Sequence, residues 1–174
     1  LADSALIAQK QKRAGGLATL PRSRESRSLK MGDAGQERDT GRTMSQENVE
    51  VIRGMYDAFN RADPASVRFL HSEAELHQNP DMPGAGSYFG REEFVKGIAS
   101  FMSGLDDVRF EPEEIEEAGN LVVVRMRAWG RGRVSGISGD RLEFHAWTVR
   151  DGKAFQCFVR ASRAEALEAV GLSE

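Results

Sequence analysis

Glu143, His145 and Trp147 alternate along "RLEFHAWTVR", so on a strand their side chains share one face. An imidazole accepts or donates a proton near neutrality, with an unperturbed pKa of ~6.5. His145 is therefore the strongest candidate for acid/base chemistry, with Glu143 as its partner and Trp147 beside it. Tyr56, inside "EVIRGMYDAFN", supplies a hydroxyl, and Gln78, where "AELHQNP" leaves a strand, supplies an amide. An amide has no useful basicity, so Gln78 can bind a ligand but cannot act as a general base. Together these groups fit proton transfer on an organic ligand, with His145 and Tyr56 as catalytic candidates. Two plainer roles stand beside that one: Tyr56 as a core ring bonded to backbone, and His145 as a half-buried histidine satisfied by backbone or water.

Other chemistries find less support. His71, His77 and His145 lack the spacing of metal ligands, so no metal site is expected. "GRGRVSGISG" lacks the lysine and following helix of a phosphate loop and reads as a flexible connection over 130–141. Cys157 is the single cysteine of the sequence, which points to a reducing, cytoplasmic setting.

The elements that must carry these groups can be read from periodicity. Val49, Ile52, Tyr56 and Phe59 form the stripe of a helix expected to start at Ser45. Asp63-Pro64 caps a short second helix. Ala74–Gln78 reads as a strand whose inner face holds Leu76 and Gln78, turning Glu75 and His77 away unless a bulge intervenes. A Pro/Gly loop follows, then a helix over 91–102. Strands are expected over 108–115, 121–129, 142–150 and 153–160, with turns at Gly119-Asn120 and Asp151-Gly152. Ser162 and Glu165 form a capping box opening a last helix that ends at Gly171. This order predicts an α+β fold: a curved antiparallel sheet wrapped around helices to form a cone-shaped pocket. Met55, Phe94, Phe101, Met102, Met126, Trp129, Phe155 and Cys157 are candidates to line it, although core packing explains the same residues.

The chain has 174 residues, 40% of them hydrophobic and 29% charged, within the range of one globular domain. Residues 1–43 hold 9 Lys/Arg against 5 Asp/Glu, and apolar residues are sparse there. They are expected to form a disordered basic extension ahead of a native start at Met44, with a genuine basic tail as the alternative. The domain is then 44–174. It carries 15 Lys/Arg against 22 Asp/Glu, which does not suggest a nucleic-acid partner. No apolar run reaches the ~20 residues of a membrane helix.

"NVEVIRGMYDAFNRAD", "GSYFGREEFVKGI", "FHAWTVRDGK" and "SRAEALEAVGL" together resemble the nuclear transport factor 2-like superfamily, and within it the SnoaL-like and ketosteroid-isomerase-like proteins. Members include isomerases, cyclases, dehydratases, hydrolases and proteins with only a binding role. The resemblance implies a pocket for a small hydrophobic, polycyclic or carbonyl-bearing molecule. No cofactor is expected, since proton transfer beside a carbonyl needs only a base and an oxyanion donor. It also implies a homodimer formed through the outer sheet face, where Val123 and Trp129 lie. Ketosteroid isomerases use a strand carboxylate as base, plus a helix tyrosine and a protonated strand acid as donors. By the resemblance, Gln78 falls at the base position, Met55 with Tyr56 next to it at the tyrosine, and His145 at the acid. The missing carboxylate favours a non-catalytic binding or dimerisation module as the alternative.

Overall fold

The first helix is longer than its stripe requires. In the computed structural model, which describes residues 36–172, α1 runs Gln36–Asn60 and so begins before the start expected at Ser45. The nine added residues, 36–44, carry no apolar stripe that would announce them. The reading of residues 1–35 lies outside the described residues. Ile52, Met55 and Tyr56 are the buried face of α1. A 3-10 helix, Pro64–Phe69, follows, and Asp63 Oδ1 accepts from Ala65 N at 2.8 Å as its cap.

Six strands form one sheet in the order β2-β1-β6-β5-β4-β3. They are β1 Leu70–His77, β2 Ser87–Phe89, β3 Leu105–Ala118, β4 Leu121–Gly132, β5 Ser138–Arg150 and β6 Lys153–Arg160. Between β2 and β3 lies α2, Arg91–Met102, and α3, Arg163–Ala169, follows β6. All pairings are antiparallel except β1 with β6, which run parallel, with Leu76 opposite Cys157. β1 comes before the β3–β6 meander and pairs with its last strand, while β3 keeps the opposite edge.

The turns are of the expected kind. Asp151 and Gly152 take φ of 52° and 65°, the left-handed pair of a two-residue hairpin. Register shifts in β3 near Pro112, and where β1 meets β6, are the bulges that bend the sheet. A bulge also explains how a proline sits in β3, an edge strand. The flexible connection expected over 130–141 is instead mostly paired strand. Gly130 faces Gly139 and Arg131 faces Ser138, leaving a tip of five residues. Cross-strand pairs of Arg131 with Asp107 and Arg133 with Asp106 hold this arm, and such exposed pairs leave no hydrophobic alternation to read. β2 also went unread, because three residues in a Pro/Gly loop show no period.

The concave face packs on α1 and α2, and the main core lies there. The convex face is covered in part by α3. Leu121, Val123 and Ala146 pack under Ala166 and Leu167. Val123, expected on an open outer face, is therefore buried. Trp129 is 39% exposed and donates to Glu111.

The α2/β2 contact has no slack. A Cβ on Gly97 would lie 2.6 Å from Tyr88 Cδ2 and 2.8 Å from Cγ. Gly97→Ala should cost about 1–3 kcal/mol as the ring is forced aside. Urea denaturation reads this, and an unchanged midpoint would show that Tyr88 yields freely.

Candidate functional site

The site is built where β5 passes beneath α1. Alternation along β5 turns Glu143, His145 and Trp147 inward, and all three are buried. Tyr56 comes down from α1 onto the same place. Its Oη lies 2.6 Å from His145 Nδ1 and accepts from Trp147 Nε1 at 2.8 Å. His145 Nε2 lies 2.8 Å from Glu143 Oε1. Arg141 donates to Glu143 Oε2 from Nε at 3.1 Å and from Nη2 at 2.6 Å, and Nη2 also touches Met82 Sδ at 3.1 Å. The five residues form one continuous chain of hydrogen bonds from the buried indole to the half-exposed guanidinium.

The directions of these bonds can be assigned. Burial pushes the Glu143 carboxyl upward, but hydrogen bonding and charge from His145, with Arg141, hold it below the usual carboxylate range. Glu143 is therefore ionised at neutral pH and can only accept. His145 Nε2 must then carry hydrogen, and in the neutral imidazole Nδ1 is bare. Tyr56, whose hydroxyl burial pushes well above the usual tyrosine range, stays protonated and donates to Nδ1.

Two adjoining cavities meet at this chain. The larger, about 130 Å³, is lined by Met55, Tyr56, Phe94, His145, Trp147 and Cys157 with other, mainly apolar, groups. The smaller, about 40 Å³, is lined by Gln78, Met82, Phe101, Arg141, Glu143 and His145 among others. His145 thus borders both, with Nδ1 toward Tyr56 and Nε2 toward Glu143. Cys157 is buried, and its thiol is raised well above the usual range by burial and then by Glu143.

Several expected roles need correction. Met126 lines neither cavity; it is fully buried in the core opposite Glu143. Met102, Trp129 and Phe155 line neither as well. Gln78 faces the smaller cavity, but its amide is already engaged. Nε2 donates to Gly97 O at 3.3 Å, and Oε1 accepts from Gly86 N at 3.1 Å. It ties the Pro/Gly loop to α2. His77 stays on the outer face, bonded to Ser87 and Glu75 and stacked on Phe158. The residue that sequence reasoning missed is Arg141. Its signal was the i, i+2 relation to Glu143, hidden because 141 was placed in a connection.

Comparison with known proteins agrees with this architecture. A family model, SnoaL-like domain, matches residues 52–156. The chain is similar to an NTF2-like protein of unknown function from Burkholderia pseudomallei K96243, with 24% identity and a TM-score of 0.61 over 70% of this chain and 95% of that one. It is similar to TerC, co-crystallised with polyporic acid, at 26% identity and a TM-score of 0.57, over 65% of this chain and 89% of that one. A ketosteroid isomerase-like fold from Catenulispora acidiphila DSM 44928, in complex with trimethylamine, is 13% identical with a TM-score of 0.55, over 71% of this chain and 93% of that one. No curated protein matches. With more than half of its length matched by the family model, the chain belongs to the SnoaL-like domain family.

Proposed function

We propose that the larger cavity binds a small, single-ring organic molecule bearing one oxygen function, and that Tyr56 and His145 move a proton on it. The observation that carries this reading is the Tyr56–His145–Glu143 chain ending in an otherwise mainly apolar cavity. Buried, converging titratable groups beside a cavity are what acid/base chemistry requires. Size narrows the ligand. A cavity of about 130 Å³ is close to the ~150 Å³ engineered cavity that holds benzene. A single ring matches that volume. The co-crystallisation of TerC with polyporic acid supports an organic occupant in this fold. The oxygen would face Tyr56, and His145, held in place by Glu143, would supply or take the proton through the Tyr56 hydroxyl.

A second reading, binding without turnover, is favoured by one observation. The isomerase-like base position holds Gln78, whose amide is committed to backbone. The two readings separate in one experiment. Cyclohexanone is added in deuterated buffer, its binding is followed by thermal shift, and deuterium entering next to the carbonyl is followed by NMR. Saturable binding with exchange that drops about 100-fold or more in His145→Gln supports proton transfer. Binding with exchange at the buffer rate supports a binding protein. Absence of binding by this and other single-ring ketones and alcohols would sink both. A homodimer through the outer sheet face belongs to the same proposal. With Val123 covered, Phe89, at 62% exposed, and Trp129 are the apolar groups to carry it. Sizing chromatography at high micromolar concentration checks it.

A further inference from the structure

The hydrogen-bond chain has a consequence for which ligand it accepts. A tyrosine hydroxyl has one hydrogen to give and oxygen lone pairs to receive with. With neutral imidazole, the Tyr56 hydrogen goes to His145 Nδ1, and the Trp147 N–H occupies one lone pair of the oxygen. What remains for a ligand is one acceptor position. His145 offers nothing further, because its Nε2–H is held by Glu143. Adding one proton to Nδ1 reverses the Tyr56–His145 bond. Nδ1–H then donates to Tyr56 Oη, both receiving positions of the oxygen fill, and the hydroxyl hydrogen is released toward the cavity.

We infer that the protonation state of His145 decides whether the cavity takes a carbonyl-bearing ring: the neutral imidazole leaves only an acceptor, which a hydroxyl-bearing ring can satisfy, and the imidazolium releases a donor, which a carbonyl-bearing ring requires. The inference rests on the cavity reading above and adds the ligand's hydrogen-bond polarity to it. The proton balance is simple. Binding a carbonyl ligand to the neutral site takes up one proton from solvent, which goes to His145 Nδ1; binding an alcohol takes up none.

The surroundings permit this switch. The groups facing the imidazole are Tyr56 from α1, Glu143 with Arg141 behind it on β5, and Cys157 from β6 across the shared cavity. Phe110 of β3, Leu76 of β1 and Ile98 of α2 border the same space without charge. Val124 of β4 is its apolar neighbour in register. Glu143 is ionised and accepts from Nε2–H at 2.8 Å in either state of the ring, while Arg141 donates to the other carboxylate oxygen. Cys157 stays a neutral thiol through burial. Ser66, in the wall of the larger cavity, gives or accepts alike at any pH and adds no discrimination of its own.

The test uses a matched pair, cyclohexanone and cyclohexanol, titrated into the full chain across about pH 5 to 8, where histidines change charge. Calorimetry in buffers of differing ionisation enthalpy counts the protons. Cyclohexanone affinity should rise as pH falls, by up to about tenfold per unit, with uptake approaching one proton. Cyclohexanol affinity should stay flat or fall over the same range. In His145→Gln the difference between the two pH profiles should vanish. Parallel profiles in the wild-type chain, or ketone binding without proton uptake, would overturn the inference and leave the cavity reading standing. Failure of both compounds, with other single-ring probes also failing, would overturn the cavity reading first.

Discussion

Glu143→Ala should destabilise the protein by about 2–4 kcal/mol at pH 7, far more than an exposed charge would. The substitution removes the acceptor of His145 Nε2–H, which is buried and has no other hydrogen bond among the described residues. It also strips Arg141 of the oxygen, Oε2, that accepts from both its Nε and its Nη2. Glu143→Gln should cost less, about 1–2 kcal/mol, since its carbonyl oxygen can still receive from His145. The pH dependence has a definite sign. The folded carboxyl titrates below its unfolded value, which lies near ~4.3. Its contribution is thus fully present above that pH and is lost as pH falls through the folded-state value. The gap between wild type and Glu143→Gln in urea denaturation should therefore narrow as pH falls below about 4. A gap that ignores acid would mean that Glu143 is not the ionised member of the chain.

Tyr56→Phe is the second large effect, about 2–4 kcal/mol, because one oxygen serves two partners. Its loss orphans Trp147 Nε1–H and His145 Nδ1 together, both in the buried interior. Trp147→Phe removes only a donor; Tyr56 keeps its bond to His145, so the polar part of the loss should be about 1 kcal/mol. The double variant should be less costly than the two single losses added, since the orphaned indole is gone in it. Strict additivity would mean that the Tyr56–Trp147 bond contributes nothing.

Much of this arrangement was legible before the structure. α2 and β6 fall on the residues expected, 91–102 and 153–160, because each has a clean period bounded by turn residues. Alternation put Glu143, His145 and Trp147 on one shared face, and the structure turns that face inward. Helical spacing put Tyr56 inward as well, but nothing local could say that its hydroxyl would meet His145, 89 residues away. The errors have the same cause. Gln78 was expected to bind a ligand, but the backbone groups that claim its amide, Gly86 and Gly97, are placed by a loop and a helix folding over it. Met126 was read as lining because an inward position does not distinguish packed core from cavity wall. Arg141 was lost to a glycine-rich stretch whose strand character comes from cross-strand pairing, not from its own pattern.

The parallel junction of β1 and β6 sets an order of events in folding. Strands β3 to β6 are joined by tight turns and can zip up locally, whereas β1 must find β6 across 81 residues, from Leu76 to Cys157. Loop-closure entropy makes that encounter late. Until it happens, the Cys157 thiol is open to solvent; afterwards it is sealed. A pulse of thiol reagent during refolding would therefore time the last major step, using the single sulfhydryl of the chain as its own stopwatch.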